Sequence, residues 1–123
     1  MPLKLAADPR SIRIARHWVL DRAVTAGVPA PMVPVVELLA TELVTNAILH
    51  GSLGQPITVT TCLTGRLFGL AVKDLSPDQP VLRQPDPSAP GGRGVMLVDM
   101  LSTNWGVEVL EPTGKSVWFR LTV

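Results

Sequence analysis

The chain has 123 residues and a mass of 13.2 kDa, the size of one domain spanning 1–123, and it can bury roughly two-thirds of the surface its unfolded form exposes. With 11 basic against 10 acidic residues, a net charge of +1 and 4% aromatic residues, it lacks the basic footprint and the stacking platforms of a nucleic-acid binder. A hydrophobic fraction of 46% and a mean hydropathy of +0.32 are high for so small a domain, and call either for a well-filled core or for apolar surface covered by a partner or a second copy.

In chain order, Leu3-Lys4-Leu5 alternates and reads as a short edge strand. Met1 to Arg16 contains no apolar run of the kind a secretory signal needs. Asp8-Pro9 has the form of a helix start, with Asp as N-cap and Pro at the first helical position. Ile12, Ala15, Val19, Leu20 and Ala23 then recur at helical spacing, and Gly27 supplies a stop. Pro29, Pro31 and Pro34 mark a connection, after which a second helix is predicted from Pro34 to His50, ended by Gly51. The apolar run Val33 to Leu49 carries Glu37 and Glu42, which argues against a membrane span. A single cysteine, Cys62, allows no internal disulfide and suits a reducing compartment, so a cytoplasmic location off the membrane is expected.

The period next changes from near 3.6 to 2. Ile57 to Leu63, a Thr64-Gly65 turn and Leu67 to Lys73 read as a hairpin, with Cys62 as a small packed residue of its first strand. Asp74 to Gly94 is polar and contains five prolines, Pro77, Pro80, Pro85, Pro87 and Pro90, and a loop of that length in a compact domain is functional or disordered. A third helix, Gly94 to Leu101, precedes a second strand pair, Trp105 to Leu110 and Ser116 to Val123, turned at Thr113-Gly114. Helices early, hairpins late and one helix between them predict an α+β fold. The expected form is a two-layer sandwich, a mostly antiparallel mixed sheet covered on one face by about three helices.

The most informative stretch is Glu42-Leu-Val-Thr-Asn46-Ala-Ile-Leu-His50-Gly51. Residues four apart share a helix face, so Glu42, Asn46 and His50 form a polar stripe while Leu39, Leu43, Ala47 and Ile48 face a core. Burying an amide without a partner costs roughly 2–7 kcal/mol, so such a stripe is explained most simply by a wet or liganded cleft. Two further elements belong with it: Asp74 at the end of a strand with Ser76-Pro77 behind it, and Gly91-Gly92-Arg93-Gly94-Val95 opening the third helix.

Together these three elements resemble the GHKL (Bergerat-fold) ATPase family, with its Asn-bearing helix, Asp-containing turn and glycine-rich turn after a lid loop. Trp105-Gly106 and Gly114-Lys115-Ser116-Val117-Trp118 add to the likeness, and the chain looks most like the small stand-alone anti-sigma-factor serine kinases. The resemblance implies ATP and magnesium as cofactors. It gives Asn46 the magnesium, whose hard oxygen ligands a carboxamide can supply, and Glu42 the task of accepting a proton or orienting a water near the γ-phosphate. It gives Asp74 the exocyclic amine of adenine, the backbone of Gly91, Gly92 and Gly94 the phosphates, and Ser116 a bond to adenine. Arg93 is either a charge beside the phosphates or an exposed loop arginine, and His50 either touches phosphate or packs the edge of the site. One departure is visible: the family's Asp-x-Gly-x-Gly turn reads Asp74-Leu75-Ser76-Pro77-Asp78 here.

The implied activity is transfer of the γ-phosphate to a serine or threonine of an anti-sigma-factor antagonist, with a sigma factor as the second partner and a homodimer as a further expectation. The alternative is a docking module that holds nucleotide weakly or not at all. A third option, the catalytic domain of a sensor histidine kinase, finds neither His17 nor His50 in a phosphoacceptor setting.

Overall fold

Where the sequence alternates it forms strands, and where it repeats near 3.6 it forms helices that cover one side of them. The computed structural model describes residues 2–50, 54–76, 92–110 and 112–123, with backbone only at 50 and 92–96. Its strands are β1 (Leu3–Ala6), β2 (Pro56–Thr64), β3 (Leu67–Asp74), β4 (Asn104–Val109) and β5 (Lys115–Thr122). They make one sheet in the order β1-β2-β3-β5-β4. All four pairings are antiparallel, so the sheet is more uniform than the mixed one expected from the sequence. The helices are α1 (Ser11–Thr25), α2 (Val33–His50) and α3 (Gly92–Leu101), with a short 3-10 turn at Ala30–Met32 leading into α2.

Strand alternation decides what faces the helices. Ile57 and Val59 of β2, Phe68, Leu70 and Val72 of β3, and Val117, Phe119 and Leu121 of β5 are all buried. Ala15, Val19 and Ala23 of α1, Val36, Leu39, Leu43, Val44 and Ala47 of α2, and Val98 of α3 close over them. Each large apolar side chain taken from water this way contributes roughly 1.5–3 kcal/mol. By length and composition 30–49 could cross a membrane, with a hydropathy of 1.6; in this fold α2 is the central helix, packed on α1, α3 and the sheet.

The start and stop of α1 follow from local chemistry. Regular helix begins at Ser11, two residues beyond the expected first position, because a tight turn comes first: Ser11 N–H donates to the Asp8 carbonyl at 2.8 Å and Ile12 N–H to that of Pro9 at 3.2 Å. The N-cap is therefore Arg10 and not Asp8, and no side chain caps the helix; Asp8 Oδ1 instead accepts the Arg10 N–H at 2.8 Å within the preceding turn. The Arg10 guanidinium hydrogen-bonded to it holds that carboxyl down at about 2. At the other end Gly27 N–H donates to Val24 and Val28 N–H to Ala23, a Schellman stop that satisfies two otherwise unpaired carbonyls.

Among the described residues, no helix packs on the other face of the sheet. Thr60, Cys62, Gly69, Ala71, Ser116 and Trp118 line a shallow groove there. Cys62 is therefore exposed, its sulfur 3.5 Å from Thr64 Oγ1, and not the packed residue its strand position suggested; the alternation that buries Ile57 and Val59 sends 62 outward. Trp118 lies across Gly106 of β4 with the Arg120 guanidinium 4.9 Å from its ring, and a β-carbon at 106 would come within 2.7 Å of the indole.

Candidate functional site

The same alternation that fills the core puts a charge at its end. Phe68, Leu70 and Val72 point inward from β3, and the next inward position is Asp74, 2% exposed. On the neighbouring strand, Leu121, Phe119 and Val117 point inward and the next is Lys115, 4% exposed. The two residues are paired in register, and Lys115 Nζ donates to Asp74 Oδ1 at 3.1 Å. Ser76 N–H donates to that same oxygen at 2.8 Å, closing the chain over the carboxylate. The second oxygen, Oδ2, is buried with no hydrogen-bond partner among the described residues. A buried acceptor without a donor costs about 1–3 kcal/mol, more for a charged group, so this atom marks where a ligand N–H fits.

The β4–β5 turn is clamped onto this corner. Gly114 has φ of +109°, and a β-carbon on it would lie 2.6 Å from the Asp74 carbonyl oxygen. Thr113 Oγ1 adds a hydrogen bond to the Leu75 carbonyl at 3.3 Å. Gly114→Ala meets both the left-handed backbone and the clash, and is expected to destabilise the domain by at least about 1–3 kcal/mol. Urea denaturation measures it; a variant as stable as the parent would show that the turn does not brace Asp74.

Helix α2 supplies the second wall. It packs against β3, β5 and α3, and so adjoins the other two motif-bearing elements. Leu39, Leu43, Ala47 and Ile48 are buried, as the stripe argument expects, and Asn46 is buried beside them at 8% exposure while Glu42 is half-buried. On the same helix, five residues before Asn46, Thr41 Oγ1 is buried without a partner among the described residues. Gly92, Arg93 and Gly94 form the first turn of α3, whose backbone N–H groups are the natural cradle for an anion; α3 begins two residues earlier than expected. Gly91 and the side chains of His50 and Arg93 lie outside the described residues.

Ser116 is placed differently from the expectation. It sits one residue beyond Lys115, on the outward side of β5, where it lines the open-face groove with Trp118. A one-residue step along a strand reverses the face, so Ser116 cannot share the Asp74 corner and Lys115 takes that place. The signal was present in the sequence, since counting back in twos from Leu121 reaches 115 and not 116.

The family model for the histidine kinase-like ATPase domain matches residues 5–121. The chain belongs to that family. No curated protein matches the sequence closely enough to be called a relative. Histidine kinase-like ATPase domains bind ATP, usually with magnesium, and the residues of this one suit both. Asp74 Oδ2 is a buried acceptor with no partner among the described residues, which an adenine amine would suit, and the Asn46 side-chain oxygen would be a hard ligand of the kind magnesium prefers. In this domain the buried Asp74–Lys115 pair lies at the β3–β5 junction, and the glycine-bearing first turn opens α3.

Proposed function

We propose that this ATP-binding domain is a protein serine/threonine kinase that passes the γ-phosphate of ATP to an anti-sigma-factor antagonist and holds a sigma factor when that antagonist is absent. The observation that supports nucleotide binding most directly is the unpartnered Oδ2 of Asp74. Glu42 supports transfer: it stands one turn before Asn46 on α2, where a carboxylate can take the proton of an attacking hydroxyl. Asn46 would hold Mg²⁺ against the phosphates, and the first turn of α3 would take their charge. Magnesium, when bound, neutralises charge as the phosphoryl group moves, so the protein's task is chiefly positioning.

A second reading, the docking module, is favoured by one observation: Lys115 already occupies Oδ1 of the base-reading carboxylate. Thermal unfolding with Mg-ATP, Mg-ADP and Mg-GTP separates the two. The kinase reading expects a rise in melting temperature that is selective for adenine, and ligand at about 100 times its dissociation constant adds about 2.7 kcal/mol. No shift with any of the three supports the docking module. Label transfer from γ-labelled ATP to a serine or threonine of a bound partner then tests the kinase assignment itself.

A further inference from the structure

The ion pair at the base-reading corner holds more than charge balance. Lys115 is 4% exposed, and a lysine is almost never fully buried unless paired. Its Nζ carries three N–H donors, of which one is used on Asp74 Oδ1 among the described residues. Beside that ammonium stands Oδ2, an acceptor with no donor among the described residues. The corner therefore presents an acceptor and a donor side by side, both buried and both with unused capacity.

We propose that Lys115 is a specificity-determining residue of the nucleotide site and donates directly to the N1 atom of the bound adenine ring, while Asp74 Oδ2 accepts from the exocyclic amine. This rests on the ATP reading above. Adenine offers a donor at its 6-amine next to an acceptor at N1, the complement of the Asp74–Lys115 couple. Guanine in the same pose sets its O6 against the carboxylate and its N1–H against the ammonium, a mismatch at both points. A base site built this way rejects guanine by two unpaired buried groups, the kind of penalty that discriminates far more strongly than a lost methylene. The residue next in sequence, Ser116, has no part in it, because it faces the other side of the sheet.

The test compares ATP with 1-deaza-ATP, in which the N1 acceptor is replaced by C–H. Calorimetry on the unaltered domain is expected to show 1-deaza-ATP bound at least about tenfold more weakly, the weight of a hydrogen bond to a charged donor. In Lys115→Met the two ligands should bind alike, and Lys115→Arg, which keeps charge and donors, should restore the preference for ATP. The comparison on the unaltered domain stands even where Lys115→Met does not fold. If the unaltered domain binds ATP and 1-deaza-ATP equally, Lys115 does not read N1, while the ATP reading survives. If Lys115→Met folds and still prefers ATP, the discrimination comes from another residue and the proposal is overturned. If the unaltered domain binds neither ligand, the ATP reading itself fails and takes this proposal with it.

Discussion

Asp74→Ala is expected to abolish measurable nucleotide binding and, in the same variant, to cost about 3–5 kcal/mol of stability. Two separate effects are at work. Loss of a charged hydrogen bond to the base weakens binding by about 1.5–3 kcal/mol, and the milder Asp74→Asn should show that part. The stability loss has another origin: Lys115 would remain buried with its counter-charge removed, and breaking one side of a buried ion pair is far costlier than replacing both sides. The double exchange Asp74→Leu with Lys115→Met should therefore recover much of the stability while leaving binding absent. Chemical denaturation and calorimetry on the three variants check this. If Asp74→Asn binds ATP as tightly as the parent, Asp74 does not read the base.

Glu42→Ala is the second large expectation, and it moves rate and not affinity. Under the proposed kinase reading, a general base at Glu42 would be worth about 10²–10⁴-fold in transfer, or roughly 3–5 kcal/mol of barrier. ATP affinity should stay within a few-fold, since the phosphate cradle and the base corner lie on other elements. Single-turnover transfer to the cognate partner gives the rate and calorimetry gives the affinity. An unchanged rate would remove Glu42 from the chemistry and leave Asn46 as the functional member of the stripe.

Much of this was legible in the residues. The strand and helix periods place the three helices and five strands of the described residues to within a few residues, because each apolar pattern has one face to bury. The stripe on α2 was legible for the same reason: Leu39, Leu43 and Ala47 fix which side is core. The misplacement of Ser116 arose where a family position was carried onto a strand by residue type, hydroxyl to hydroxyl, without following the pleat. Lys115 escaped notice because a lysine in a strand is ordinarily solvated, and its burial depends on a carboxylate 41 residues away that no local pattern reveals. Cys62 was judged by composition where alternation should have decided. Where the chain between Ser76 and Gly92 lies is not written in any period, since its prolines and polar residues specify no buried face.

The sheet order has a consequence for how this protein comes off the ribosome. Among the described elements β5 comes last in chain order, yet it lies between β3 and β4. Until it emerges, β4 has no neighbour to pair with and one edge of β3 stays open. Asp74 is synthesised 41 residues ahead of the lysine that neutralises it, an interval of about 2–8 s at ordinary elongation rates. A nascent chain through those seconds has neither the β3–β5 and β4–β5 pairings nor the Asp74–Lys115 ion pair. Both form together when β5 pairs between β3 and β4, so any ligand that needs the Asp74–Lys115 corner must wait for β5.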